Sequence, residues 1–158
     1  MSVTLAPLGL AERDRVAHLT VRPDQLRFSG TVAEAFDTPQ PDMDFHVILA
    51  DGVAAGFFKI DRGYPVAYGF AEKGDLGLRA VIVDATRQGK GIGTAAMSAL
   101  PAYLRPLYPQ APRLWLTVNL VNKVAIASYL KAGFVDTGAI WPHGDAGPQH
   151  IMRMALRD

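Results

Sequence analysis

The stretch from Leu76 to Thr94 constrains this chain more than any other part of it. Leu76 to Val83 reads as a buried strand, Asp84 to Arg87 as a short connector, and Gln88-Gly89-Lys90-Gly91-Ile92-Gly93 as a glycine-rich turn that opens a helix from Thr94 onward. Glycines let backbone N–H groups converge on an anion with no Cβ in the way. A helix N-terminus adds unsatisfied donors and about half a positive charge. The arrangement suits a pyrophosphate. Two nucleotide motifs fail on it. A P-loop needs Gly, four residues, then Gly-Lys-Ser/Thr, but Asp84 stands where the first glycine belongs and Gly91 follows Gly89-Lys90. A dinucleotide fingerprint needs a third glycine where the chain has Thr94.

Strand and turn signals surround this segment. Val3 to Leu5 predicts a first strand ending at Pro7, and Ala11 to Leu19 a helix with Val16 and Leu19 on one face. Val32 to Phe36 predicts a second helix, with Thr31 as its N-cap. Asp37 to Asp44, with three aspartates and two prolines, reads as a loop. Phe45 to Leu49 and Val53 to Ile60 form a predicted hairpin, because Asp51-Gly52 between apolar runs is a strong turn signal. Tyr64 to Glu72 is ambiguous. Pro101 is expected to interrupt or kink the helix after the glycine turn, and Pro106 to end it. Further on come a strand (Arg113 to Val118), a helix (Asn122 to Lys131) closed by Gly133, and two strands (Val135 to Ile140, Gln149 to Leu156). Strand–helix–strand units in the middle imply parallel pairing, and hairpins at both ends imply antiparallel pairing.

Composition narrows the function. The chain has 158 residues and no internal break, the size of one domain over 1–158. It has no cysteine, so disulfides, thiolate zinc sites and cysteine nucleophiles are excluded. The formal net charge is +1, which gives no reason to expect nucleic acid or an anionic membrane as partner. The first ten residues do not read as a signal peptide, and no uninterrupted apolar run reaches the roughly 18 residues of a membrane span. A cytoplasmic location is the expectation.

The frame Gln/Arg-x-x-Gly-x-Gly/Ala, filled by Gln88, Gly91 and Gly93, resembles the acyl-CoA pyrophosphate loop of the GNAT superfamily. A second stretch, Leu116 to Phe134, resembles the other signature of that superfamily: a strand, then Asn-x-x-Ala-x-x-x-Tyr-x-x-x-Gly-Phe, with Asn122, Ala125, Tyr129, Gly133 and Phe134 in register. Both motifs occur in order, and the resemblance covers Leu76 to Phe134 closely. It implies a mixed α/β fold: a central, mostly antiparallel sheet of six to seven strands, flanked by about four helices, with a splayed parallel pair at its centre.

The resemblance also implies roles. The backbone of Val81, Ile82 and Val83 would hold the pantetheine arm and the acetyl carbonyl, where fixed N–H donors are worth about 3–4 kcal/mol to a developing oxyanion. The N–H groups of Gln88, Gly89, Lys90, Gly91, Ile92 and Gly93 would bind the pyrophosphate, with Lys90 either adding charge or simply solvated. Tyr129 is either the general acid that protonates the departing thiolate or a core tyrosine. Asn122 either caps its helix or hydrogen-bonds the cofactor arm. An alkyl amine with a pKa near 10.4 must lose a proton, and Glu72 and Asp75, just before the central strand, are the candidate bases, directly or through water. Asn119, at the end of its strand, is a candidate to orient the amine. His46, His143 and His150 read as structural and His18 as surface. The acidic loop of Asp37, Asp42 and Asp44 reads as a solvated loop or an attractor of cations. By superfamily analogy, Gly147-Pro148-Gln149-His150 would border the acceptor site.

The expected activity is therefore an N-acetyltransferase. It would move an acetyl group from acetyl-CoA to a primary amine of a small molecule by direct attack in a ternary complex, as a monomer or homodimer and without a metal. The segment Val21 to Phe28 resembles the opening of members that acetylate polyamines and small amines. The alternatives are a non-catalytic acyl-CoA-binding regulatory module and an acetyltransferase acting on a protein N-terminus or lysine. Tyr129 beside an intact Gln88–Gly93 turn favours an enzyme, because a binder needs the turn but not the acid.

Overall fold

Seven strands and five helices make up the computed structural model, which describes residues 1–37 and 41–157. The strands are β1 (Val3–Pro7), β2 (Met43–Ala50), β3 (Val53–Asp61), β4 (Leu76–Val83), β5 (Arg113–Asn119), β6 (Val135–Trp141) and β7 (Gln149–Ala155). The helices are α1 (Leu26–Ser29), α2 (Val32–Asp37), α3 (Tyr64–Ala67), α4 (Ile92–Leu107) and α5 (Lys123–Ala132). All strands join one sheet in the order β1-β2-β3-β4-β5-β7-β6. Every pairing is antiparallel except the central one, β4 with β5. At the first hairpin, Asp51 and Gly52 both adopt left-handed φ, +50° and +81°, as a two-residue turn matched to strand twist requires.

Alternation along the strands sends two sets of side chains to opposite faces. On one face α4 and α5 cover Ile48, Phe58, Ile60, Leu78, Leu114 and Leu116 with Met97, Leu100 and Leu104. On the other, the N-terminal segment and α2 bring Val16, Leu19, Val32 and Ala35 onto Phe45, Val47, Phe57 and Ile82. Further along that second face, Tyr64 packs with Trp115 and Ile151.

Four local expectations need correction. Ala11 to Leu19 is not an α-helix. Leu10–Arg15 forms a 3-10 turn whose Glu12 carboxylate accepts the Gly9 N–H at 2.9 Å. Only Val16 and Leu19 bury there, too narrow an apolar stripe to sustain a longer helix. Thr31 does cap α2, its hydroxyl accepting the Glu34 N–H at 3.1 Å, but a further short helix, α1, precedes it. The loop expected from Asp37 shrinks, since Asp37 ends α2 and β2 begins at Met43, while Thr38–Gln40 lie outside the described residues. Finally, α4 starts two residues before Thr94 and runs unbroken through Pro101, with Pro106 still inside it. An interior proline costs about 3 kcal/mol. Burying Met97, Leu100 and Leu104 returns roughly 1.5–3 kcal/mol each, so packing outweighs the lost hydrogen bond.

Candidate active site

The parallel pair at the centre of the sheet is incomplete. β4 and β5 pair only at Leu76↔Leu114 and Gly77↔Trp115. Beyond Gly77 the backbone of β4 facing β5 has no ladder partner, and a gap opens toward Val83. The divergence has a local origin. Against β3, the step from Phe57 to Lys59 is matched by the longer step from Ile82 back to Arg79, so β4 carries one extra residue. Ala80 takes up the bulge at φ +55°. Residues Leu76 and Leu78 face the α4 side before the bulge, and Val81 and Val83 face it afterwards.

The glycine turn stands at the open end of this gap. Gly91 precedes α4 at φ +78°, a conformation that L side chains rarely adopt, and nothing lies near the position of an added Cβ. The first helical bond runs from the Ala95 N–H to the Gly91 carbonyl at 2.9 Å. The N–H groups of Ile92, Gly93 and Thr94 precede that bond and point out of the helix end. Gln88 Nε2 donates to the Val83 carbonyl at 3.0 Å and ties the turn to the strand, while the buried Ile92 side chain pins the helix start. Gly89 and Lys90 are exposed on the rim.

Asp84 fixes the connector, a role the sequence reading missed. Its carboxylate accepts the Thr20 N–H at 3.1 Å, the Thr20 hydroxyl at 3.0 Å and the Thr86 hydroxyl at 2.9 Å. Burial alone would raise its pKa, but these hydrogen bonds outweigh it and hold the carboxyl below its usual range. The bulge was missed as well, although the spacing Leu76-x-Leu78-x-x-Val81-x-Val83 slips its alternation by one residue at that point.

Across the gap, α5 presents Asn122 and Tyr129. Asn122 is 8% exposed and precedes the helix, yet its side chain makes no capping bond, and its Oδ1 is buried without a hydrogen-bond partner. It lines a cavity of about 200 Å³ together with Gln25 and Phe28 of the α1 region. Tyr129 packs on the cluster that includes Val81 and Val83, edge-on to Phe134 at 5.6 Å, and burial pushes its phenol up to about 12. Thr94 and Ser128 hydroxyls, 3.2 Å apart, join the first turn of α4 to α5.

Glu72 and Asp75 lie at the closed end of β4, where it still pairs with β5, and not beside the gap. Asp75 is fully buried and its oxygens are taken by Arg113 Nε (3.1 and 3.2 Å), the Trp115 indole (2.7 Å) and the Glu72 N–H (2.9 Å). Glu72 is exposed and pairs with Arg113 at 2.7 Å. Asn119 is likewise engaged at both ends: Oδ1 accepts the Val121 N–H at 3.0 Å and Nδ2 donates to the Ala146 carbonyl at 2.8 Å, fastening the β6–β7 loop. Of the acidic loop, Asp44 is committed to Arg62 at 3.1 Å and to the Tyr108 hydroxyl at 2.7 Å. His46 is structural as expected, buried between Tyr103 and Tyr108. A larger surface cavity of about 350 Å³, lined by Arg113, Arg153 and Arg157, lies at the far end of β5 and β7 from the glycine turn.

With this geometry in place, likeness to known proteins is informative. The model of the acetyltransferase (GNAT) family matches residues 13–134. An uncharacterized N-acetyltransferase of Bacillus subtilis (strain 168), YbbJ, is 30% identical over 122 residues, covering 75% of this chain and 76% of that protein. Among solved structures, aminoglycoside acetyltransferase AAC(6')-Ib in complex with coenzyme A superposes with a TM-score of 0.77 at 22% identity, over 98% of this chain and 95% of that one. A spermidine N-acetyltransferase chimera from Vibrio cholerae and a second source superposes with a TM-score of 0.72 at 15% identity, over 99% and 96% of the two chains. At these identities the two structures speak for the fold.

Proposed function

Since the chain belongs to the GNAT acetyltransferase family and is an acyltransferase, we propose that it transfers an acetyl group from acetyl-CoA to a primary amine of a small molecule, by direct attack in a ternary complex. The observation that carries this reading is the gap between β4 and β5 leading to the donor-rich turn at the head of α4. The residues fit the co-substrate. Ile92, Gly93 and Thr94 N–H groups face outward for a pyrophosphate, the unpaired β4 backbone offers donors to a pantetheine amide, and the orphaned Asn122 Oδ1 supplies an acceptor that capping leaves free. Acetyl-CoA supplies the activated thioester carbonyl, and β4 N–H groups around Val81 and Val83 stabilise charge building on its oxygen.

Tyr129 serves as general acid in this reading. A phenol pushed up to about 12 keeps its proton at neutral pH and has it to give. It is a weak acid for a thiolate with a pKa near 8.5, so the transfer depends on the same apolar surroundings raising the thiolate's proton affinity. Glu72 and Asp75, bound up at the closed end, are poor candidates to take the amine's proton. The test is cofactor binding. Gly91→Glu places a negative side chain where the pyrophosphate would lie, and calorimetry with CoA should show at least a hundredfold weaker binding in a variant that remains folded. Wild-type affinity in that variant would remove the turn from the site.

A further inference from the structure

The cavity of about 350 Å³ at the far end of β5 and β7 takes no part in acetyl transfer, yet its walls carry charge of one sign. Pro112, Arg113, Arg153, Ala155 and Arg157 line it: three guanidinium groups and, among the described residues, no carboxylate. The register of the sheet brings them together. Arg113 faces Ala155 across the β5–β7 ladder, and Trp115 faces Arg153. Alternation along each strand puts these four residues on one side of the sheet. Arg113 and Arg153 are then diagonal neighbours, with backbones roughly 7–8 Å apart. Ala155 brings only a methyl group and leaves the space beside Arg113 open.

Two of the three guanidinium groups are fixed by bonds that leave part of each free. Arg113 gives Nε to Asp75 and Nη2 to Glu72, and keeps Nη1. Both acids stand outside the cavity lining, and Asp75 is fully buried. Those carboxylates remain structural. Arg157 Nη1 donates to the carbonyls of Tyr108 at 3.2 Å and of Ala111, and Nη2 to the Arg105 carbonyl at 3.0 Å. These bonds close the end of α4 and hold the guanidinium in place, but carbonyls offer only partial charge. Arg153 is exposed and lies between apolar cross-strand neighbours, Trp115 on one side and Val135 on the other. Its guanidinium stands over the Trp115 ring, 5.7 Å from the centre. Guanidinium groups already held in position lose little freedom when they bind an anion.

We propose that this cavity binds a small polyanion, a molecule carrying two or more carboxylate or phosphate groups. Three cations around one concavity repel each other, and an anion among them removes that repulsion. A single fork takes one carboxylate or phosphate, so three forks suit a ligand with several. The volume matches the lower range of ordinary ligand pockets, about 300 Å³ and above, and exceeds what one inorganic ion fills. A small molecule fits better than nucleic acid, because the formal net charge of the chain is only +1 and its cations here line a hollow. The site does not depend on acetyl transfer.

Calorimetry on CoA-saturated protein tests it with three probes: citrate, inorganic triphosphate and acetate, at one ionic strength of about 0.1 M. At least one polyanion should bind with a dissociation constant below about 1 mM and at least tenfold tighter than acetate. Which of the two binds tells carboxylate from phosphate recognition. Arg153→Gln should weaken that binding about tenfold or more, and Arg153→Lys should keep part of it. Ala155→Glu sets a carboxylate directly opposite Arg113 and should abolish it. Arg153 and Ala155 are both exposed, so both variants should fold, and urea midpoints check this. Neither polyanion binding better than acetate overturns the site. So does binding that both Arg153→Gln and Ala155→Glu leave unchanged. The Gly91→Glu variant separates this cavity from the glycine turn. Polyanion binding should survive there, and binding lost in that variant, or seen only without CoA, would belong to the turn and overturn the cavity.

Discussion

The two ends of β4 hold polar groups at similar depth and treat them oppositely. At the closed end, Asp75 is fully buried and meets Arg113, the Trp115 indole and the Glu72 N–H. At the open end, beyond the bulge at Ala80, the backbone facing β5 is unpaired, the N–H groups at the head of α4 point outward, and Asn122 Oδ1 across the gap is buried and unpartnered. Buried polar groups left unpaired are costly, so a fold keeps a cluster of them only where something outside the chain completes the set. The closed end reads as structure and the open end as site, although the acidic residues that chemistry first suggests sit at the closed one.

The largest effect that would test this division is on turnover. Tyr129→Phe removes one hydroxyl from the open end, and kcat should fall about 10²–10⁴-fold where chemistry is rate-limiting. CoA affinity and urea midpoint should stay near wild type, since the ring and its Phe134 contact remain. Unchanged kcat would return Tyr129 to packing alone.

At the closed end the same kind of deletion should affect folding instead. Asp75→Ala strands the Trp115 N–H and takes the Arg113 Nε partner away. The loss should be about 2–4 kcal/mol, below the full value for a buried pair because Arg113 is a third exposed and keeps Glu72. Urea denaturation reads it directly. Activity per folded molecule lost in proportion to the missing carboxylate, with stability intact, would reinstate Asp75 as a base.

A second closed cluster gives a smaller, pH-dependent effect. Tyr108 donates to Asp44, so His46 Nε2 must donate to Tyr108 at 3.1 Å and Nδ1 accept from Tyr103 at 2.6 Å. That network fits the neutral ring, and burial lowers the His46 pKa to about 4. In the unfolded chain the imidazole takes a proton near pH 6.5, so between these values the unfolded state binds the extra proton. Stability should be flat above pH 6.5 and decline as pH falls toward 4, by at most about 3 kcal/mol. His46→Gln should flatten that decline in urea midpoints measured from pH 7 to 4.5. An unchanged slope would place the titration elsewhere.

Sequence and structure agree where the determinants are local. Asp51-Gly52 needs only its own backbone to make the turn, and Leu76–Val83 and the Gly133 helix end carry their signals within a few residues. The glycine turn was legible for the same reason. Agreement fails where distant partners decide. Asp75 looked available because Arg113 and Trp115, which consume it, come 38 and 40 residues later. Pro101 looked like a break because the packing that carries α4 across it comes from other strands.

The smallest effect separates the two ends most finely. Asn122 stands where a helix cap belongs but makes no capping bond, so Asn122→Ala should change stability by less than about 0.5 kcal/mol, although capping asparagines are commonly worth about 1 kcal/mol. If Oδ1 is instead reserved for the pantetheine arm, the same variant should weaken CoA binding about three- to tenfold, the worth of one neutral hydrogen bond. Asn119, three residues earlier, is the internal control. Its side chain is spent on Val121 and Ala146, so Asn119→Ala should lose stability by about 1–3 kcal/mol. Urea melts and CoA calorimetry on the two variants should therefore give opposite patterns. A destabilised Asn122→Ala with unchanged CoA affinity would mean that Asn122 supports the fold, and the open end would lose its one orphaned acceptor as an argument for a ligand.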